Sequence, residues 1–489
     1  MGLVGGLSYF FFAAQSLRLD EAQTLWQSSR SAPDILSLVA RDVHVPFYFE
    51  ALHFWRYLND SVFSARLFSL VFYLLSIPAI YFLGKLAYGR PAGLFAATLL
   101  AVSPFMNWYG NEIRMYTLFT FLVIVNQYCF LKIQKTGNEH AWAFYIISAA
   151  IGVFTHYFFW LVLVAQALFF FLRRPLFPPG ALRRFIFAGA VVGLVSVPWA
   201  AMVFLEGQLA NSSPLLPIPG SIDLFNAFSQ FLVGFQNDHV NTFFLSLWPL
   251  SIALAFLALR KGTRLSPETE YFLLTAVLGI TFAFAVSFVL PLFISRYLIF
   301  TVPSLYLLLT SFILLYPPRA AVVARTAVAG LMVVGLLIEM LNPTTPVKEE
   351  YREVAQFLST NAQAQDVVLV SAPFTIYPVE YYYRGEATLA TLPRWDRYTY
   401  GAIPPFSAET LPQEVGGATG AAQYAWLLLS YDQGYEKDIK EYFENNYEEV
   451  MTKNFSPGLN LYQYKLRYDT PLGRSPTGEA LERLSSAHE

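Results

Sequence analysis

The chain has 489 residues, 55% hydrophobic and 13% charged, with a formal net charge of −2 at pH 7 and a mean hydropathy of +0.44. Soluble domains carry about 25% charged residues, so a water-soluble fold is excluded, because that apolar surface needs lipid around it. The near-neutral balance argues against a nucleic-acid partner, and a single cysteine, Cys129, excludes an intrachain disulfide or a thiolate metal cluster.

Taken in chain order, apolar stretches of roughly bilayer-crossing length, ~20 residues, are predicted near 2–17, 62–84, 91–109, 113–131, 141–154, 157–172, 184–204, 241–259, 271–290, 296–315 and 320–341. The first has no basic residue ahead of it and no small-x-small site before Arg18, so it reads as a retained helix, not a cleaved signal. The stretch 141–172 reads either as one long helix or as a hairpin turning at Thr155-His156-Tyr157. Loop charge favours the hairpin. Five loops on one side then hold Lys85, Arg90, Lys132, Lys135, Arg173, Arg174, Arg183, Arg184, Arg260, Lys261, Arg264, Arg319 and Arg325, while the opposite loop 205–240 has no Lys or Arg. The positive-inside rule gives eleven spans and a cytoplasmic N-terminus, in a multi-pass protein of a plasma or inner membrane.

That topology places Asp20-Glu21, the Asn111-Glu112-Ile113-Arg114 turn, His156 and Arg296 together on the outer face. Within the outer loop 18–61, Ile35–Ala40 and Phe47–Leu58 show helical apolar spacing mixed with charge, as in helices lying in the interface; 222–236 looks similar. The transmembrane domain is expected over 1–343. Past Asn342-Pro343 the alternation of strand-like runs (366–371, 425–430) and amphipathic helices (347–360, 435–446) predicts a small extracytoplasmic α/β domain over 344–468, followed by a disordered polar tail, 469–489.

Four short segments carry chemistry. Leu19-Asp20-Glu21-Ala22 sets two carboxylates at a membrane surface. This is either a helix cap or a base beside an acceptor hydroxyl. In Trp108-Tyr109-Gly110-Asn111-Glu112-Ile113-Arg114-Met115-Tyr116, Glu112 and Arg114 form an interfacial ion pair or, functionally, contact a sugar or metal and a phosphate. His44-Val45-Pro46-Phe47-Tyr48 and His156 each offer one imidazole for packing, a phosphate or a metal, without a helical ligand pair. Ser295-Arg296-Tyr297 and Arg66 put cations near outer helix ends, where they either snorkel or meet the leaving phosphate of a lipid carrier.

The ordered set resembles the GT-C superfamily of membrane glycosyltransferases, in particular the branch of protein O-mannosyltransferases and the lipid A aminoarabinose transferase. It comprises Leu-Asp-Glu-Ala after a first helix, His-x-Pro-aromatic in a long outer loop, Ser103-Pro104 before Glu-x-Arg-x-Tyr, Thr-His-Tyr at a hairpin and Arg-Tyr opening a late helix. Val45 stands where the family usually has a second proline. The resemblance implies a polytopic α-helical GT-C fold and a polyprenyl-phosphate-linked sugar donor. The acceptor is a hydroxyl of protein, lipid or glycan, and transfer is inverting. Asp20 is the implied base, with Glu21 and Glu112 as further acids of the site. His44, Arg66, Asn111, Arg114, Tyr116, His156, Arg296 and Tyr297 are the implied substrate contacts. A divalent metal is a possible addition, with Glu112 and His44 as its ligands. The competing class, a transporter or flippase, calls for ionisable groups at the bilayer midplane, where these spans have almost none.

Overall fold

A computed structural model describes residues 15–42, 44–206, 218–246, 265–290, 292–342, 349–398 and 403–466. The expected first span, most of 241–259 and the tail 469–489 lie outside the described residues. The chain divides into two compact units, Met1–Lys348 with Arg397–Ala402, and Glu349–Asp396 with Ile403–Glu489.

Among the described residues the first unit holds helices and no strand. Three short helices open it: α1 (Leu19–Ser28), α2 (Ala32–Ala40) and α3 (Phe47–Arg56). The sequence pattern gave the last two, and α1 is additional. Then follow α4 (Val62–Tyr88), α5 (Arg90–Ala101), α6 (Pro104–Gly110), α7 (Tyr116–Thr136), α8 (Glu139–Val153), α9 (Phe159–Leu172) and α10 (Ala181–Glu206). The unit continues with α11 (Ser221–Val233), α12 (Asp238–Ser246), α13 (Pro267–Val286), a 3₁₀ turn Ser295–Thr301 running into α14 (Val302–Ile313), and α15 (Pro318–Leu341). Among the described residues six helices are long and apolar enough to cross a membrane: Val62–Tyr88, Tyr116–Thr136, Ala181–Leu205, Pro267–Val286, Ser295–Ile313 and Pro318–Leu341.

The expected single span 91–109 is instead two helices. The chain leaves α5 at Val102, and Ser103 caps α6 by accepting from the Met106 N–H at 3.1 Å, with Pro104 in its first turn. Proline has no N–H to continue a helix, and it suits an N-terminus. The hairpin at 141–172 is present, but its arms α8 and α9 have 15 and 14 residues. At 1.5 Å per residue each is shorter than the ~30 Å hydrocarbon core, and Thr155 and His156 at its tip are buried. An uncharged polar seam fastens the arms to their neighbours. Gln166 Nε2 donates to Asn126 Oδ1 (2.8 Å), Asn126 Nδ2 to Ser148 Oγ (3.0 Å), and Tyr145 OH to Gln166 Oε1 (2.9 Å).

Helix direction sorts charge between the two ends of this unit. Arg66 opens α4 and Lys85 closes it; α7 runs from Tyr116 to Lys135, and α9 from the His156 turn to Arg173. At the far end Lys135 pairs with Glu268 (2.6 Å), Arg173 with Glu270 (2.6 Å) and Arg184 with Glu139 (2.8 Å). Tight packing of α4 on α5 depends on glycine. A Cβ on Gly84 would come 2.9 Å from Gly93 Cα, so the two backbones touch as small residues allow.

The second unit is built on a mixed sheet, β2 (Thr388–Thr391), β1 (Val367–Ser371), β3 (Tyr424–Leu429), β5 (Leu459–Lys465) and β4 (Glu448–Ser456) in spatial order. β1 is parallel to β2 and β3, whereas β5 is antiparallel to β3 and β4. Successive residues of β1 face opposite sides. Val367 and Leu369 pack with Ile439 and Phe443, while Val368 and Val370 pack with Tyr351 and Leu358. Helices therefore cover both faces, which is why β1 reads as an unbroken apolar run.

Candidate active site

α1 begins right after Arg18, with Asp20 and Glu21 in its first turn, where acids suit the helix dipole. The two acids have different surroundings. Glu21 is 1% exposed. Its carboxylate receives Arg66 through Nε (2.9 Å) and Nη2 (2.7 Å), the backbone N–H of Arg18 (3.0 Å) and that of Ile113 (3.1 Å). Burial alone pushes this carboxyl up, and Arg66 and Arg18 outweigh it. Glu21 thus ties α1, α4 and the 111–115 turn together, with both oxygens committed.

Asp20 lies more open. Its Oδ2 accepts from Arg296 Nη1 at 3.0 Å, the two side chains being 22% and 34% exposed. Burial raises the Asp20 carboxyl, but Arg296, Arg114 and His44 together hold it below the usual carboxylate range, so it is ionised at neutral pH.

Arg114 is buried beside it. Nη1 donates to Thr24 Oγ1 (3.1 Å) and Nη2 to His44 Nε2 (2.5 Å), while Nε has no hydrogen-bond partner among the described residues. The Arg296 Nε and the Tyr116 hydroxyl are likewise buried without one. Three donors of one small region are therefore unsatisfied, and buried polar groups of that kind call for an explanation. An anionic ligand supplies one.

Glu112 is buried within electrostatic reach of Asp20. Its Oε2 is 3.5 Å from Arg18 Nη1, and the Arg18 guanidinium stands 3.4 Å above the Trp108 ring. Burial lifts the Glu112 carboxyl to about 7, with Arg18 opposing and Asp20 and Glu21 reinforcing. It therefore takes a proton far more readily than an ordinary carboxylate and, once protonated, can donate as well as accept. His156 Nδ1 accepts from the Phe158 N–H (3.1 Å), and its ring stacks on Phe119 at 4.6 Å. Burial drives its pKa to about 3, so it is neutral, with the proton on Nε2.

The fold brings Asp20, Glu21, His44, Arg66, Glu112, Arg114, Tyr116 and Arg296 into one cluster. Tyr297 packs on His156 at 5.7 Å. Asn111 donates to the Asn107 carbonyl (2.8 Å) and keeps a buried Oδ1 without a partner. Glu112 and His44 do not converge on a common cation, because each faces an arginine. Among the described residues no group of three His, Cys, Asp or Glu is arranged to hold a metal, so a divalent ion does not fit these two positions. Sequence reasoning assigned no role to Arg18, Thr24 or Asp42. The i, i+4 spacing of Asp20 and Thr24 was the available signal for Thr24, once 19–28 is taken as a helix.

Residues 44–201 match the family model for dolichyl-phosphate-mannose-protein mannosyltransferase. No curated protein matches the sequence. Among solved structures, ArnT from Cupriavidus metallidurans bound to undecaprenyl phosphate is similar with a TM-score of 0.63 and 13% identity, covering 94% of this chain and 96% of that one. Its apo state gives 0.58 at 12% identity, over 86% and 87%. Arabinofuranosyltransferase AftD from Mycobacteria gives 0.52 at 13% identity, over 96% of this chain and 42% of that one. Identities this low speak to fold. The chain is a membrane protein of the GT-C fold, the fold of these glycosyltransferases, and over residues 44–201 it carries the sequence pattern of the dolichyl-phosphate-mannose-protein mannosyltransferases.

Proposed function

We propose that the chain is a glycosyltransferase that moves a sugar from a polyprenyl-phosphate carrier to a hydroxyl acceptor by a single inverting displacement, with Asp20 as base. The observation that carries this reading is an ionised acid, Asp20, set against Arg114 and Arg296, each with a buried Nε that has no partner among the described residues. Asp20 takes the acceptor's proton, the acceptor oxygen bonds to the anomeric carbon, and the bond from that carbon to the phosphate oxygen breaks with its electron pair leaving on phosphate. Arg114, Arg296 and the Tyr116 hydroxyl meet the growing phosphate charge, the kind of preorganised stabilisation that counts most in such steps. A phosphate drawing on Arg296 loosens its pairing with Asp20 and so raises the basicity of that carboxylate. Glu112, His156 Nε2 and Asn111 Oδ1 are polar contacts for the sugar or acceptor hydroxyls. Glu21 and Arg66 act by holding α1 and the 111–115 turn in place.

Arg296→Ala tests the phosphate contact. Losing one charged hydrogen bond costs about 1.5–3 kcal/mol, or about ten- to a hundredfold in transfer from a lipid-linked sugar by protein in liposomes. Normal transfer would reduce Arg296 to a membrane anchor.

The site faces outward in this proposal, with eleven crossings, the second unit extracytoplasmic and the N-terminus inside. Basic side chains of five loops support it, since those of the described loops gather at the end of the helical unit away from Asp20. A cysteine at Ser212 should react with a membrane-impermeant thiol reagent added outside intact cells, and one at Gly180 should not. Reversed labelling would turn the site to the cytoplasm.

A further inference from the structure

We infer that Glu339, in the last turn of α15, is a positioning residue of this site: it pins the turn after α11 so that Phe235 backs Trp108, the platform on which Arg18 meets Glu112. The inference rests on the reading of Glu112 as a contact for the sugar or acceptor. Glu339 is 0% exposed, and an ionisable group inside a membrane helix is costly and marks function by default. Its Oε2 accepts from the backbone N–H of Phe235 at 2.8 Å. Beside it, Gln236 Nε2 donates to the Gly335 carbonyl, one turn back on α15, at 3.1 Å. Two consecutive residues of the turn are thus fastened to one helix end.

Glycine lets these elements come so close. Gly234 takes the chain out of α11 with φ +74°, and a Cβ there would run into Glu339 Oε2 and Pro104 Cβ. A Cβ on Gly335 would stand 2.7 Å from the Val233 carbonyl oxygen. The Tyr306 hydroxyl lies 2.6 Å from the Phe231 carbonyl and 2.7 Å from Ser103 Oγ, so it ties the end of α11 to the cap of α6. Held this way, the Phe235 ring lies against α6, its centroid 5.6 Å from that of Trp108 and 5.8 Å from that of Phe105. Trp108 carries the Arg18 guanidinium 3.4 Å above its ring, and Arg18 Nη1 reaches Glu112 Oε2 at 3.5 Å. An ion pair that long holds neither side chain firmly, so the aromatic platform sets where Arg18 stands. Glu112 is surrounded by Arg18, Asp20, Glu21, Arg114 and Arg296, with Tyr109 beside it. Of the cations, Arg18 opposes its protonation most strongly.

The test follows the Glu112 carboxyl by ¹³C NMR of glutamate-labelled protein in nanodiscs, its signal being the one lost in Glu112→Gln. Transfer from a polyprenyl-phosphate sugar is measured beside it. Glu339→Leu removes the acceptor of the Phe235 N–H and should let Arg18 drift from Glu112. The Glu112 titration midpoint then moves to higher pH, and kcat/KM falls about ten- to a hundredfold, the scale of a ~1 Å misplacement. Arg18→Met should do the same, and Glu339→Leu should add little on top of it. Glu339→Gln, whose amide oxygen still accepts from Phe235, should titrate and transfer as the native protein does. Should Glu339→Leu fail to fold, Phe235→Leu removes the ring, leaves the pin in place and should move the midpoint the same way. An unmoved midpoint in whichever of these two variants folds would overturn the inference. So would equal losses in Glu339→Leu and Glu339→Gln, or a loss that adds in full to that of Arg18→Met. If the native protein transfers nothing from polyprenyl-phosphate sugars, the proposed function falls, while the Glu112 midpoint still decides the role of Glu339.

Discussion

Replacing Glu21 by alanine should lower the stability of the folded protein by about 3–5 kcal/mol, the usual cost of stranding one member of a buried ion pair. Glu21 and Arg66 are 1% and 2% exposed, and both guanidinium nitrogens that reach Glu21 are within 2.9 Å of it. Without the carboxylate, Arg66 loses the acid that balances its charge, while the Gln15 and Ser16 carbonyls stay at 3.1 Å each. The backbone N–H groups of Arg18 and Ile113 lose their acceptor as well. Arg66→Met should cost a similar amount for the mirrored reason. The double variant Glu21→Leu/Arg66→Met should cost clearly less than the sum, because it leaves no unpaired charge. Thermal unfolding in nanodiscs checks this, and a Glu21→Ala variant within about 0.5 kcal/mol of the native protein, the range of surface changes, would remove the keystone role.

Asp20→Asn should leave the fold intact yet slow transfer by about 10²–10⁴-fold, the usual contribution of a positioned general base. The side chain is 22% exposed and pairs with a partly exposed Arg296; the amide oxygen can still accept from Arg296, and buried Arg114 keeps its bonds to Thr24 and His44 while losing part of its countercharge. What it cannot do is take the acceptor's proton. The variant should therefore insert, purify and bind undecaprenyl phosphate, while turnover of a labelled lipid-linked sugar in liposomes falls to a small fraction. Near-normal turnover would eliminate Asp20 as base and with it the proposed displacement. Set against Glu21→Ala, the pair separates two roles that adjacent letters conceal: the proposed base and the neighbour that holds the scaffold.

That separation was not legible in the chain itself. Leu19-Asp20-Glu21-Ala22 marked the place, but which acid is satisfied and which is open depends on Arg66 of α4 and Ile113 of the 111–115 turn. The long apolar spans were legible because hydropathy sums over some twenty residues, and a few helix starts follow from caps such as Ser61, Ser103 and Ser266. The break at Val102–Ser103 was visible in Ser103-Pro104 and was overridden by the apolar count. Arg18 escaped notice because it belongs to no periodic pattern; it acquires meaning from a partner 94 residues away, Glu112.

Composition and hydropathy by themselves determined that this protein lives in a membrane, since transfer of apolar groups between water and lipid depends on residue type and order alone. The tertiary structure decided the chemistry of the site. It alone brings Asp20, Glu112, Arg114 and Arg296 within electrostatic reach, and pKa values and hydrogen-bond satisfaction are properties of distance and burial, which a linear sequence does not contain.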